Sequence, residues 1–334
     1  MDMDFRIIKY TEDKEKEWDD FIINRALNGT FLQSRRFLNY HPKNRFVDAS
    51  YMIYDSKNHL IAICPACEKN EANVKILFSH SGSTYGGIII CAQINKAVYL
   101  LEMLRQLEIE WRNDGFVKVV LKQTPSLFSH EEMSLLQYIF FYSGYNETKD
   151  LNLYIDLSNS LENIISNFSQ GKRRNIRKCI KSKLCCKPVD NIKEIEKFHR
   201  LLEITLEKYE KKPVHTAQEL FDFQENRLVN ECQIFGVYNE ENEMIAGAMI
   251  FYFNDTGIAH TQYLCANPEY NSLSPMSFTY YSMIIEMKRR GFSKLSWGIS
   301  TDCAGQYINE GLTINKESYG SKHSINSTFT KQLI

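Results

Sequence analysis

The chain has 334 residues, 43% hydrophobic and 24% charged, with 40 Lys plus Arg against 41 Asp plus Glu. That length exceeds one ordinary core and predicts two domains, 1–150 and 151–334. A net charge of -1 excludes a global pull toward nucleic acid or membrane, so any such partner must be held by a local patch. No apolar run approaches the roughly 20 residues of a spanning helix. The start, Met1-Asp2-Met3-Asp4, lacks the basic-then-apolar signature of a signal peptide, and a cytoplasmic location is expected. Nine cysteines cannot all pair, which predicts free thiols. Cys64-Pro65-Ala66-Cys67 has redox or zinc spacing, but it continues the strand-like Leu60-Ile61-Ala62-Ile63 and no second pair completes a site. No metal is expected.

Taken in chain order, Phe5–Tyr10 alternates as a strand, and residues 12–27 carry Trp18, Phe21, Ile22 and Arg25 at helical spacing before the stop Asn28-Gly29. Ser34 caps a short helix to Tyr40. Strands are predicted at 48–54, 60–67, 74–78 and 86–91, with hairpin-like turns at Ser56–His59 and Asn70–Asn73. A helix over 95–113, a strand over 116–121, a helix over 130–142 and a strand over 151–157 close the first half. The second half opens with helices at 161–168, 173–184, 192–210 and 216–230. Strands follow at 233–238, 244–253 and 258–265, with turns at Asn239–Asn242 and Asn254–Gly257. After the loop 267–274, Ser274 as N-cap and Pro275 as first helical residue start a helix to Arg290. Antiparallel meander, helix, then strand is an α+β pattern.

The two halves share one plan. Gly115-Phe116-Val117-Lys118 and Gly291-Phe292-Ser293-Lys294 each follow an apolar helix and open a β-rich stretch. Glu110 and Glu286 each lie five residues before the glycine. A second Gly step follows in each half, Ser143-Gly144-Tyr145 and Glu310-Gly311-Leu312. An ordered series of this kind predicts an internal duplication.

This order of elements resembles the GNAT acyltransferase superfamily, and the tandem arrangement resembles the Fem-type aminoacyltransferases that build peptidoglycan cross-bridges. The resemblance rests on Asn267-Pro268-Glu269-Tyr270 with the following helix and Gly291-Phe292, on Thr30-Phe31-Leu32-Gln33-Ser34, and on Ser81-Gly82-Ser83-Thr84-Tyr85-Gly86-Gly87. It also rests on Arg173-Arg174-Asn175-Ile176-Arg177-Lys178 and on Gly311-Leu312 through Lys316 to Gly320. It implies two tandem GNAT-like domains, each a mixed, mostly antiparallel sheet flanked by helices. It further implies a donor substrate, acyl-coenzyme A or aminoacyl-tRNA, and no permanently bound cofactor. Two positions depart from the pattern. The turn Asn271-Ser272-Leu273-Ser274-Pro275 has no glycine where coenzyme A-dependent members carry one, and Asn315 replaces an aromatic before the closing lysine.

Candidate site residues follow from chemistry and resemblance together. The run Lys172–Lys187 holds eight basic residues and no acidic one. On a helix, Ile176, Ile180 and Leu184 would form the apolar stripe and leave Arg173, Arg174, Arg177, Lys178 and Lys181 outward, a solvated face or an anion site. By resemblance Arg174 leads, with Gln33 and the helix start at Ser274 as further substrate contacts. Lys316 would steady an oxyanion or hold donor phosphate, the alternative being an exposed lysine on a terminal strand. His260 or His80 would take a proton from an attacking amine, and Tyr263 lies on the strand before the donor loop. Each of these three also fits an ordinary structural role. The expected function is N-acyl or aminoacyl transfer to an amine of a cell-envelope or surface-polysaccharide precursor. The acceptor would be anionic or lipid-linked and tRNA a possible partner. The alternative is a non-catalytic binding module for an anionic envelope precursor or RNA.

Overall fold

A computed structural model describes residues 4–42, 45–71, 74–207 and 210–333. Met1–Met3 of the acidic start, Ala72 and Asn73 of one predicted turn, and Lys208 and Tyr209 of one predicted helix lie outside the described residues. The chain forms two compact units, residues 1–150 with 325–334, and residues 151–324.

In the first unit, β1 (Arg6–Lys9), β3 (Tyr51–Tyr54), β4 (Leu60–Cys64) and β7 (Ile89–Ile90) form an antiparallel sheet in the order β1-β3-β4-β7. Helices α1 (Glu15–Asn24) and α2 (Arg35–Leu38) fall between β1 and the short β2 (Val47–Asp48). A second run pairs β2, β5 (Cys67–Glu71), β6 (Val74–Ser79) and β8 (Lys118–Lys122), with β6 parallel to β8. The expected single strand 60–67 is broken after Cys64, and β4 and β5 belong to different sheets. Pro65, which has no N–H for a ladder, stands at the break.

The crossover from β6 to β8 is α3 (Ala97–Asn113). Its buried face is Leu100, Met103, Leu104, Leu107 and Trp111, the spacing of one helical stripe, packed with Val119 and Leu121 of β8. The helix ends at Gly115, where a positive φ of 83° favours glycine and lets Phe116 N–H reach back to Trp111 O at 2.9 Å. Then come α4 (Ser134–Tyr142) and β9 (Asn146–Asp156), which contributes residues to both units.

The second unit opens with α5 (Leu161–Ser166), α6 (Gln170–Lys181), β10 (Cys185–Val189), α7 (Ile192–Glu207) and α8 (Ala217–Asp222), the last running into a π turn. Strands β11 (Cys232–Tyr238), β12 (Met244–Phe253) and β13 (Ile258–Ala266) continue the antiparallel ladder from β10. Helix α9 (Pro275–Arg289) crosses to β14 (Lys294–Ile299), which is parallel to β13 and antiparallel to β9. Its end repeats that of α3: Gly291 has φ 87° and Phe292 N–H bonds Met287 O at 3.1 Å. The hairpin β15 (Thr301–Asp302) and β16 (Tyr307–Ile308), α10 (Glu310–Glu317) and β17 (Lys322–Gln332) complete the chain.

Three expectations are corrected here. Gly311 lies inside α10, and the glycine that ends that helix as Gly144 ends α4 is Gly320, with φ 74° against 80°. Residues 325–334 belong to the first unit, because β17 pairs with β8 from Thr328 to Gln332. Ile180 is 55% exposed, and the buried face of α6 is Ile176 with Cys179. All nine cysteines are free thiols. Burial pushes Cys64 up to about 12 and raises Cys67, so neither is a reactive thiolate. Among the described residues no helix is long and apolar enough to cross a membrane, and no cluster of His, Cys, Asp or Glu has the makings of a metal site.

Candidate active site

Strands β13 and β14 pair in parallel only from Ile258 to His260 and from Lys294 to Ser296, although both run on. Past that point β13 is paired with β12 and β14 with β9. Each also bulges at the point of divergence. Met249 faces Tyr263 and Ile250 faces Thr261, leaving Gln262 extra; Ser296 faces Tyr154 and Gly298 faces Leu153, leaving Trp297 extra. Paired bulges re-aim side chains and open the sheet locally.

A buried polar cluster sits at this divergence. Ser296 Oγ donates to Asn152 Oδ1 at 3.1 Å and accepts from Gly298 N–H at 3.2 Å. Asn152 Nδ2 in turn donates to Ser324 Oγ at 2.9 Å. With the Ser296 proton committed, His260 Nδ1, 3.1 Å away, is the donor to Ser296 Oγ, which makes Nε2 the lone-pair nitrogen. Burial, with a smaller push from the Lys316 charge, lowers His260 to about 3. A ring held that low is neutral near pH 7 and a weak proton acceptor, so His260 orders the cluster better than it serves as a base.

Lys316 joins the same region from α10, a helix rather than a terminal strand. Only 3% exposed, its Nζ donates to Gly298 O at 3.0 Å and Ile299 O at 2.7 Å. Burial lowers the ammonium to about 7. The side chain pins the end of β14 and places a titratable positive charge beneath the divergence.

Tyr263 is not part of this cluster. Its hydroxyl meets His215 Nδ1 at 2.6 Å, the two rings packed edge to face, and burial raises the phenol to about 12. Ser274 adopts a left-handed conformation, φ 56°, and its side chain makes no capping bond. Instead its carbonyl receives the amides of Ser277 and Phe278, and Cys179 Sγ lies 3.5 Å away. Gln33 is fully buried with both amide ends taken: Nε2 donates to Thr124 Oγ1 at 2.8 Å and Oε1 accepts from Thr30 N–H at 2.8 Å. It closes a capping box and offers nothing to a ligand. His80 is likewise buried, its Nδ1 accepting from Gly82 N–H at 3.0 Å, and burial lowers it to about 4.

The arginines of the basic helix face outward, although its buried stripe is not the expected one. Ser169 caps α6, and Arg173, Arg174 and Arg177 line a pocket of about 530 Å³ together with Gln170 and Gly171. Arg174 and Arg177 are exposed and Arg173 half-buried. The first turn of α6 is tied to α10 by Lys172 Nζ, which bonds Asn315 Oδ1 at 2.5 Å and lies 4.7 Å from the centre of the Tyr319 ring. Tyr319 stacks on Tyr280 at 4.7 Å, and Tyr280 packs on Trp297 at 4.5 Å. Ser296, Asn152, His215 and Lys172 were not singled out by sequence. The available signal was a lone polar residue inside an apolar strand, as at Ser296, since such a group must find a partner when buried.

No family model matches the chain, and no curated protein matches it in sequence. Solved structures do match. FemX superposes with a TM-score of 0.69 at 10% identity, covering 98% of this chain and 97% of its own. A C-terminal domain assigned to a lysylphosphatidylglycerol synthetase of Agrobacterium fabrum gives 0.62 at 9% identity, covering 96% and 92%. A tandem GNAT protein from the clavulanic acid biosynthesis pathway gives 0.57 at 8% identity, covering 100% and 99%. The chain therefore has the α+β fold shared by FemX and tandem GNAT proteins.

Proposed function

We propose that the protein is an acyltransferase that moves an aminoacyl or acyl group from an activated ester or thioester to an amine, the acceptor being a cell-envelope or surface-polysaccharide precursor. The observation that carries this reading is the divergence of β13 from β14 with the Lys316 ammonium enclosed at its edge. Where two parallel strands part, a carbonyl would lie between them, and a cation held beside it would favour a developing oxyanion over the ground-state carbonyl. The amine nitrogen attacks the carbonyl carbon, a C–N bond forms, and the C–O or C–S bond to the carrier breaks. The proton leaves the amine and the carrier oxygen or sulfur takes one up. Lys316 would steady the oxyanion. The pocket on α6 would hold phosphates of an anionic or lipid-linked acceptor, or of tRNA, through Arg173, Arg174 and Arg177. FemX and the lysylphosphatidylglycerol synthetase domain share the fold and support an envelope-related acceptor.

For the donor, the glycine-free turn at Asn271–Pro275 and the packing of Cys179 against the carbonyls of Leu273 and Ser274 favour aminoacyl-tRNA over coenzyme A. Calorimetric titration with acetyl-coenzyme A and with charged tRNA tests the reading, followed by mass spectrometry of candidate amines. Heat from one donor and an acylated amine are expected. If tRNA or an anionic precursor binds and no amine gains mass, the protein is the non-catalytic binding module. If neither donor binds, the transferase reading fails.

A further inference from the structure

Away from the divergence, the second unit holds a slot of about 390 Å³ along the outer flank of α9. Its helical wall is the stripe Phe278, Ser282, Ile285 and Arg289, which spans roughly 16 Å of helix at the standard rise per residue. Its opposite wall is Cys186 and Pro188 of β10, the outermost strand paired with β11, and Phe235 of β11, directly opposite Pro188. Burial pushes the Cys186 thiol up to about 12, so that wall is uncharged as well as apolar.

The C-terminal end of the slot is different. Glu286 Oε1 accepts from Arg289 Nη2 at 2.7 Å and from Arg290 Nε at 2.7 Å. Arg289 Nε reaches Glu286 Oε2 at 2.9 Å, and Arg290 Nη1 reaches Tyr252 OH at 2.9 Å. One carboxylate thus serves two guanidinium groups, which leaves a net positive charge at that end, with Arg289 68% exposed. The Arg290 guanidinium lies 5.4 Å from the centre of the Phe235 ring, where the apolar wall meets the cation.

We infer that this slot binds a single unbranched acyl or alkyl chain whose anionic head, a carboxylate or a phosphate, sits at Arg289. The stripe of α9 that lines the slot, its charged end included, spans about half the hydrocarbon thickness of a bilayer, which is the scale of one acyl chain. Away from the charged end formed by Glu286, Arg289 and Arg290, the only hydroxyl or amide side chain lining the slot is Ser282, too little for a sugar or peptide along its length. Charge sign selects an anionic head over a cationic one. None of this depends on acyl transfer, and the slot shares no residue with the divergence cluster or the α6 pocket.

The test is calorimetric titration of the full chain, below the micelle threshold, with dodecanoate, dodecyl phosphate, octanoate and dodecyltrimethylammonium. Saturable one-to-one binding of either twelve-carbon anion is expected. Octanoate, four methylenes shorter, should bind on the order of 100-fold more weakly, and the cation at least tenfold more weakly. Ser282→Trp fills the slot and should abolish binding, while Arg289→Glu leaves the walls intact and should weaken the anions at least tenfold. A preference between carboxylate and phosphate supports the assignment and identifies the head group. No saturable binding by the wild type overturns it. So does equal affinity for all four probes, or unchanged binding in Arg289→Glu.

Discussion

The two units carry one scaffold with opposite contents. Gly115 and Gly291 end their crossover helices with the same backbone bonds, and three residues later Lys118 and Lys294 begin strands paired in parallel with Ile76 and Ile258. In that register Phe78 corresponds to His260 and Val120 to Ser296. Counting back from the helix-ending glycines Gly144 and Gly320, buried Phe140 corresponds to buried Lys316. The positions that carry the polar cluster of the second unit are therefore apolar in the first, whose buried polar groups, Ser79, Gln123 and Thr124, lie just beyond them. The first unit also fills the end of its parallel pair with its own chain: Gly86 N–H bonds Lys122 O at 2.8 Å, and Gly87 N–H bonds Ser79 Oγ at 2.8 Å. Gly86 is needed there, since a Cβ would lie 2.7 Å from the Ser79 carbonyl carbon. A shared backbone says little about chemistry: at three matched positions the first unit carries apolar side chains, Phe140 in its core and Phe78 and Val120 half-buried, where the second carries buried polar ones.

The sharpest test of that contrast exchanges the matched pair. Lys316→Met should lower turnover ~100- to 1,000-fold, as loss of an oxyanion donor does. The melting temperature should change little, because the variant loses the bonds to Gly298 O and Ile299 O but also the cost of a buried charge. Phe140→Ala should do the reverse: about 3–5 kcal/mol less stable by chemical denaturation, with turnover of the remaining folded protein unchanged. Equal loss of turnover in both variants would break the asymmetry.

A smaller effect is expected at the filled end. Gly86→Ala forces a methyl group onto the Ser79 backbone and should destabilise by about 1–3 kcal/mol, with donor binding by the second unit unaffected. A change in donor affinity would show that the first unit takes part in holding the donor.

Acidity offers a milder probe. Burial lowers Lys316 to about 7, so between that value and the ordinary 10.5 the unfolded chain binds a proton that the folded chain has released. Stability from this group therefore rises with pH across that window. His260, lowered to about 3, gives the same sign between about 3 and its ordinary 6.5. Denaturation of wild type and Lys316→Met at pH 7 and pH 9 should show the wild type gaining on the variant as pH rises. Parallel curves would mean that Lys316 titrates normally in the fold.

The helix ends and the strands that follow them were legible in sequence because Gly-Phe after an apolar stripe is a local signal, whereas the parallel pairing of those strands was not. Strands β10 and β17 were not legible either: Cys185-Cys186-Lys187-Pro188-Val189 has no alternation, and the neighbours of β17, β9 and β8, both lie far back in the chain. The candidate cluster was half legible. His260 and Lys316 stood out as titratable groups, whereas Ser296 takes its role from His260 and from Asn152, 36 and 144 positions away. Gln33 misled because its motif marks a capping box, and a capping box needs the same polar atoms that a ligand would use. Tyr263 misled in a related way, its hydroxyl being committed to His215 from the segment before α8.

The smallest effect on the fold is expected at the basic helix, and there the comparison needs a control in each unit. Arg174 is exposed on α6 and lines the 530 Å³ pocket, so Arg174→Ala should shift stability by no more than about 0.5 kcal/mol. Binding of a phosphate-bearing ligand should weaken, and for tRNA the slope of log affinity against log salt should fall by about one. Arg105 of α3 is 60% exposed with Glu102 at 3.7 Å, and Arg105→Ala should change neither stability nor the salt slope. Equal changes in the two variants would mean that charge anywhere on the surface suffices, and the pocket would lose its claim to a ligand. A stability loss in Arg174→Ala with unaltered binding would make the arginine a structural residue of α6. If only the salt slope of Arg174→Ala falls, the second unit holds the anion through this helix, and the asymmetry seen at the strand divergence extends to recognition.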